Sequence, residues 1–85
     1  MTKREQNKRK EIKEIIKNLN IKKIDVNYDE FGVWGYFKNI PKEMLEKFID
    51  NPIYEFSYFK QGDKLIIIFE FDFDYYEFIL YLDNN

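Results

Sequence analysis

Apolar residues near the start of the chain recur with the period of an α-helix. Four of them fall at positions i, i+3, i+4 and i+7: Ile12, Ile15, Ile16 and Leu19. Thr2 and Glu5 have the spacing of a capping box, which opens a helix. The pattern predicts a basic amphipathic helix over residues 2–19. Its first two turns, KREQNKRKE, offer no apolar side chain to a core, so this half is expected to project into solvent or to lie on an acidic surface.

The next segment changes to the period of two that is typical of β-strands. Ile24, Val26 and Tyr28 alternate with polar residues and predict a half-buried strand. After a turn at DEFG, the sequence VWGYFK predicts a second strand, in which Gly35 indicates a bulge or close packing. A second helix is expected from residue 41, a proline, to residue 50. Its predicted buried stripe consists of Met44, Leu45, Phe48 and Ile49.

The second half of the chain contains a clear β-hairpin signal. The strands IYEFSYFK and KLIIIFEFD flank Gly62 and Asp63, a pair that suits a two-residue type II′ turn. This turn fixes a register that places Glu55 opposite Glu70 on one face, with Asp72 beside them. Because like charges directly opposite one another destabilise a sheet, a cation is expected to face these carboxylates.

The C-terminal segment permits two interpretations. Asp74 and Glu77 have capping-box spacing, and Phe73 with Phe78 fits a hydrophobic staple, which favours a short helix over residues 75–82. Continuation as a strand through EFILYLD is the alternative. With the helix, the element order is α-β-β-α-β-β-α. This order predicts one α+β domain over residues 1–85, with an antiparallel sheet of about four strands and the helices packed on one face.

Composition limits the chemistry available to the chain. Its 85 residues include neither cysteine nor histidine, which excludes disulfides and catalysis by thiolate or imidazole and argues against zinc sites. The sequence DVNYDEFG at residues 25–32 opens like a calcium loop, but Glu30 stands where that loop requires glycine. We therefore expect a protein that is not an enzyme and needs neither metal nor cofactor. No apolar run reaches the ~20 residues of a membrane span, so a cytoplasmic protein without membrane contact is predicted.

Charge is distributed unevenly along the chain, although the net charge is only −2. Residues 1–24 carry nine Lys or Arg against three Glu, whereas residues 25–85 carry five Lys against thirteen Asp or Glu. Such asymmetry indicates an acidic partner surface, a polyanion-binding arm or docking of one segment on the other. The acidic face predicted to bind a partner comprises Glu55, Glu70, Asp72 and Asp74.

The spacing of these carboxylates resembles that of DNA phosphates. Same-face residues of a strand lie roughly 6.5–7 Å apart, and phosphates along one DNA strand are separated by roughly 7 Å. Lys, Ile, Asn, Phe and Tyr, whose codons are rich in A and T, are abundant in the chain. In size, charge and this composition, though in no motif, the chain is similar to small acidic proteins of phages and archaeal viruses, including several anti-CRISPRs, that act as DNA mimics or site blockers. These features favour a viral inhibitor that acts by protein–protein interaction. Its acidic surface would block a basic, nucleic-acid-binding site of a host protein in the host cytoplasm.

The sequence leaves three alternatives open. The basic first helix could neutralise the acids within the chain, or exposed aromatic residues could form a homodimer. The helix could instead bind nucleic-acid phosphates, which would involve Lys3, Arg4, Lys8, Arg9, Lys10 and Lys13. Against nucleic-acid binding stand three Glu in the same helix and a pI near 5.2.

An aromatic stretch, FGVWGYF, is similar to the RNA-binding strand of the RRM. That motif has Lys or Arg before its first glycine, whereas this stretch has Phe31 before Gly32. Burial in the core is therefore the predicted role of its aromatic side chains, which are Phe31, Trp34, Tyr36 and Phe37.

Overall fold

The computed structural model describes residues 2–83, which form two helices and five strands. The helices are α1 (Lys3–Lys17) and α2 (Lys42–Asp50). The strands are β1 (Ile21–Glu30), β2 (Val33–Phe37), β3 (Glu55–Gln61), β4 (Lys64–Phe71) and β5 (Asp74–Leu82). They form one antiparallel sheet in the order β2-β1-β5-β4-β3. The prediction of a small α+β domain with an antiparallel sheet is confirmed.

Helix α1 begins where the sequence predicts, because Thr2 caps it. The Thr2 hydroxyl accepts a hydrogen bond of 3.2 Å from the Glu5 N–H, which satisfies one of the free donors of the first turn. Ile12 and Ile16 are buried in the core, whereas the first two turns are exposed except for Arg9.

The hydrophobic core lies between the two helices and one face of the sheet. Ile12 of α1 and Ile49 of α2 are fully buried, and so are Phe69 and Phe78 on the central strands. Both helices therefore pack on the same face, as predicted. Met44 departs from the prediction, because it is 41% exposed on the flank of α2, where it lines an apolar groove beside β1 and β2.

The prediction of a helix over residues 75–82 is wrong, since this segment is strand β5. It lies at the centre of the sheet and pairs with β1 on one side and β4 on the other. Its side chains alternate, so that Phe78 and Leu80 enter the core while Glu77 and Ile79 point to the other face. Two backbone ladders and this burial outweigh the local capping signal. The order is therefore α-β-β-α-β-β-β, with five strands instead of four.

The predicted register of the β3–β4 hairpin is confirmed. Glu55 pairs with Glu70, and Phe56 with Phe69, around the turn at Gly62. Gly62 has a φ of +61°, and Asp63, the second central residue, does not have a positive φ. This combination defines a type II′ turn, whose twist suits a hairpin.

Gly35 of β2 lies against the ring of Tyr28, its partner on β1. A Cβ atom at residue 35 would overlap this ring. The ring is held in place because it stacks between Phe37, at 5.6 Å between centroids, and Tyr76, at 6.0 Å. The predicted close packing of Gly35 is therefore confirmed.

The substitution Gly35→Ala is expected to lower the free energy of unfolding by about 1–3 kcal/mol, because the Tyr28 ring must leave its stack. Urea unfolding measures the loss. In a Tyr28→Val background the same substitution should be neutral or stabilising, since alanine is otherwise favoured over glycine in a strand. An equal loss in both backgrounds would show that ring overlap is not the cause.

Candidate functional site

Both described helices lie on one face of the sheet, and in residues 2–83 no helix or strand covers the other face. We call it the helix-free face. Directly paired residues of antiparallel strands point to the same face, so the strand pairing defines rows of side chains across it. The row at one end contains, from β3 to β2, Glu55, Glu70, Tyr75, Asp29 and Trp34. The adjacent row adds Glu77 of β5, which pairs with Asn27.

Four carboxylates from four strands therefore share one end of the helix-free face. We call them the acidic end, and they are Asp29, Glu55, Glu70 and Glu77. A shallow groove of about 550 Å³ runs between the aromatic side chains of Trp34 and Tyr75. Its other lining residues are Asn27, Asp29 and Glu77.

The remainder of the helix-free face differs in chemistry from the acidic end. Its middle is apolar, with Ile66 and Ile79 paired on neighbouring strands beside Phe59. At the far end, Lys23 and Lys64 lie on either side of the Tyr81 ring, at 4.5 and 5.3 Å from its centroid. Charge on this face thus changes from negative to positive along the strands.

The structure separates the four carboxylates of the predicted acidic face. Glu55 and Glu70 are neighbours as predicted. Strand β4 ends at Phe71, however, and Asp72 lies in the turn with a φ of +52° instead of extending the row. Asp74 pairs with Phe71 and so points to the helix-covered face, where its Oδ1 is buried without a hydrogen-bond partner. The tight β4–β5 turn, which the helix prediction left out, is the reason for both differences.

The pKa of Tyr75 is affected by the negative charge of the acidic end. Burial raises the pKa of its phenol, and the charges of Glu77 and then Glu70 raise it further. Its hydroxyl donates a hydrogen bond of 3.2 Å to Glu77, which also accepts one from the Asn27 side chain. Glu77 is thereby held in position, whereas the Glu55 and Glu70 side chains make no hydrogen bond or ion pair within residues 2–83.

The basic residues of α1 lie on the opposite side of the sheet from the acidic end. Arg9 is only 6% exposed and donates to the backbone carbonyls of Ile49 and Tyr54. Lys8 donates to a carbonyl of β3, and Lys13 pairs with Asp50. Lys3, Arg4 and Lys10 remain exposed.

The basic residues of α1 come close to only one carboxylate of the acidic end, which is Glu55. Glu55, on the edge strand β3, shares a surface groove with Lys8 and Arg9. Lys13 pairs with Asp50 and Lys23 with Asp25, and neither ion pair involves the acidic end. The expected cation opposite Glu55 and Glu70 is therefore not supplied by an ion pair within residues 2–83.

Aromatic side chains of residues 31–37 are exposed, contrary to the prediction that they are buried. Phe31 and Trp34 are 77% and 73% exposed, and Tyr36 and Phe37 are 44% and 56% exposed. Phe31 also packs on the equally exposed Phe73 at the tip of the neighbouring hairpin, at 6.4 Å between centroids. Phe31 lies in the β1–β2 turn, and β2 is an edge strand, so that its side chains contact the sheet on one side only.

A second polar cluster on the helix-free face is internal to the fold. Asp25, which is 1% exposed, accepts hydrogen bonds from the Tyr36 hydroxyl at 2.6 Å and from the Asn39 N–H at 3.1 Å. Burial raises the pKa of Asp25, but these bonds and the charge of Lys23 outweigh burial, so the pKa lies below its ordinary value. The hydrogen bond to Asp25 in turn raises the pKa of Tyr36 to about 12. This cluster fastens β2 to β1.

The raised pKa of Tyr36 predicts a loss of stability in alkali. In the unfolded chain the phenol ionises near pH 10, whereas in the folded chain it ionises near 12, so stability falls as the pH rises between these values. The substitution Tyr36→Phe should make this loss smaller and, by removing a hydrogen bond from Asp25, raise the pKa of that carboxyl. Urea unfolding across the alkaline range, with phenolate absorbance, measures the effect. An unchanged alkaline loss in Tyr36→Phe would contradict the assignment.

Comparison with known proteins adds no assignment. The chain matches no family model, no curated protein and no solved structure. Neither helix in residues 2–83 has the length and apolar character needed to cross a membrane. The geometry of the helix-free face is therefore the basis for assigning a function.

Proposed function

We propose that the acidic end binds a basic, nucleic-acid-binding surface of another protein and thereby blocks it. The observation that carries this proposal is the row in which Glu55, Glu70 and Asp29 from three strands share one uncovered face. The fold places Glu55 directly opposite Glu70, and their like charges repel each other. A bound cation would remove this repulsion.

The geometry of the row suits a lysine- or arginine-lined channel. Glu55 and Glu70 are roughly 5 Å apart as direct cross-strand neighbours. Asp29 is two strands from Glu70, at roughly 9.6 Å. These separations bracket the roughly 7 Å between DNA phosphates, so cations spaced for a phosphate backbone would find carboxylates within reach.

The aromatic residues give this surface the composition of an interface. A guanidinium inserted into the groove would contact the rings of Trp34 and Tyr75 and reach the carboxylates of Asp29 and Glu77. Exposed Phe31 and Phe73 at the hairpin tips would supply apolar anchors beside the charges. Arginine is thus the preferred contact residue on the partner.

The resulting function is that of a non-enzymatic inhibitor encoded by a phage, virus or other mobile genetic element. Long-range attraction between the acidic end and the basic target would speed association in the host cytoplasm. Anti-CRISPR and other anti-defence proteins that mimic DNA belong to this class. Nucleic-acid binding through α1 ranks second, because Lys8 and Arg9 are already bonded to backbone carbonyls of the fold.

A tagged pull-down from bacterial or archaeal lysate, with and without nuclease, tests the proposal. Recovery of a basic protein in stoichiometric amount after nuclease treatment would support the proposal, provided that added DNA displaces this protein from the tagged chain. Recovery that disappears with nuclease would overturn it and transfer the function to the basic helix.

A further inference from the structure

The two edge strands of the sheet are protected to very different degrees. An unprotected edge offers free N–H and C=O groups to another strand. On β3, Lys8 donates to the carbonyl of Phe56, and the strand itself carries Glu55 and Lys60. Strand β2 has the sequence VWGYF, which contains neither charge nor proline, and no hydrogen bond from another element reaches its outer edge in residues 2–83.

The exposed side chains of β2 point to both faces of the sheet. Val33 and Phe37 are 64% and 56% exposed on the helix-covered face, and Trp34 is 73% exposed on the helix-free face. Exposed apolar residues on both faces of an edge strand are unusual unless another chain covers them. Strand β2 therefore has the properties of an interface.

We infer that β2 pairs antiparallel with β2 of a second copy of this chain, about a two-fold axis midway between the Gly35 residues of the two copies. The sequence VWGYF is symmetric in character, with large apolar residues at its ends, aromatic residues inside them and glycine at its centre. Self-pairing consequently places Trp34 opposite Tyr36, and Val33 opposite Phe37, of the second copy. Such aromatic and aromatic–β-branched pairs stabilise a sheet.

The backbone of β2 has the alternation that this register requires. Glu30 and Val33 close the two-residue turn of the β1–β2 hairpin, so Val33, Gly35 and Phe37 direct their hydrogen-bonding groups to β1. Trp34 and Tyr36 then direct their N–H and C=O groups outward. In the dimer, Trp34 of each copy pairs with Tyr36 of the other. These two pairs give every outward N–H and C=O group of Trp34 and Tyr36 a hydrogen-bond partner.

Charge complementarity favours a second copy over an unrelated strand. In this register Lys38 of the second copy lies opposite Gly32. The Gly32 N–H donates a hydrogen bond of 2.9 Å to Asp29, which places that carboxylate beside the approaching lysine. The axis is perpendicular to the sheet, so the dimer carries two acidic ends on the same side of one continuous sheet. Asp29 and Trp34 belong to both surfaces, but pairing of two copies through β2 requires no basic partner.

Disulfide trapping tests the register, because the chain has no cysteine of its own. In the dimer, residues 33 and 37 of different copies form a non-hydrogen-bonded pair with Cα atoms roughly 4.5 Å apart, which a disulfide can bridge. Within one chain the same residues are roughly 13 Å apart and cannot be bridged. The variant Val33→Cys with Phe37→Cys should oxidise to a covalent dimer. Its control, Val33→Cys with Phe59→Cys on the other edge strand, should oxidise at least tenfold more slowly.

Sedimentation equilibrium of the cysteine-free chain provides the second measurement. The native chain should dimerise, and Trp34→Pro should raise the dimer dissociation constant at least tenfold, because proline removes an outward N–H without breaking the β1–β2 ladder. Urea unfolding verifies that the variant folds. A native chain that stays monomeric at its highest soluble concentration, or control cysteines that cross-link as fast as the designed pair, would overturn the inference.

Discussion

Replacing Glu70 by lysine together with Asp29 by asparagine is expected to weaken binding of the basic partner about 100-fold, or about 2.8 kcal/mol. The reason is that the acidic end loses two carboxylates, and that the lysine at position 70 repels the cationic side chains of the partner. The fold should survive, since a lysine at position 70 would face Glu55 as an opposite charge. An asparagine at position 29 would keep the oxygen that accepts the Gly32 N–H. Isothermal titration calorimetry with the partner recovered in the pull-down measures the loss.

Two controls separate the acidic end from net charge. Asp63→Lys with Glu14→Gln makes the same change in charge at exposed sites away from the acidic end, and should alter binding by less than about threefold. Neutralising single carboxylates makes a finer comparison, in which Glu70→Gln should weaken binding more than Asp72→Asn, because Asp72 lies in the turn. Equal losses in the charge-reversal variant and its matched control would mean that the partner senses total charge only.

The substitution Arg9→Met is expected to lower the free energy of unfolding by about 2–4 kcal/mol. The Arg9 guanidinium joins α1 to α2 and to the segment before β3, because it bonds the carbonyls of Ile49, near the end of α2, and Tyr54. A cation suits the end of a helix, where carbonyls lack partners. Methionine would fill the space but leave both carbonyls without their donor, and each buried acceptor lost in this way costs about 1–3 kcal/mol.

Lys10→Met, an exposed neighbour on the same helix, is the matched control and should change stability by no more than about 0.5 kcal/mol. Urea unfolding of both variants gives the comparison. If Arg9→Met were as stable as the control, the guanidinium would not hold the two helices and the segment before β3 together. Arg9 would then be available for the nucleic-acid contact that the sequence suggests.

Local signals in the sequence predicted several elements correctly, because nearby residues determine them. The Gly62-Asp63 turn fixes its hairpin, and the Glu55–Glu70 pair follows from that turn alone. The Thr2 cap and the stripe at Ile12 and Ile16 likewise define α1 without help from distant residues.

The remaining features depend on contacts between residues distant in sequence. Strand β5 forms because β1 and β4 lie on either side of it, which a capping box in its own sequence cannot indicate. Strand β2 is exposed because it lies at the edge of the sheet, a position that its own aromatic sequence does not indicate. Arg9 is buried because carbonyls of α2 and of the residue before β3 surround it.

For the same reason, the sequence predicts only two of the four carboxylates of the acidic end, Glu55 and Glu70. Glu55 and Glu70 belong to one hairpin, whereas Asp29 and Glu77 join them through the β1–β5 and β4–β5 pairings. The alternation of polar and apolar residues in β1 indicates that Asp29 lies on the polar face of that strand. It does not indicate that Asp29 lies near Glu70, because this depends on β5 lying between β1 and β4.

The most direct test of the central claim is an NMR titration of the labelled chain with an oligoarginine peptide. It reports which surface a polycation prefers, and it can be carried out before the partner is identified. We expect the largest shifts at the Trp34 indole and at the amides of Asp29, Glu70 and Tyr75, and their loss in the Glu70→Lys, Asp29→Asn variant. Shifts centred instead on Glu43 and Glu46 of α2 or on Asp63, or an unchanged titration of the variant, would contradict the assignment of the acidic end as the binding site.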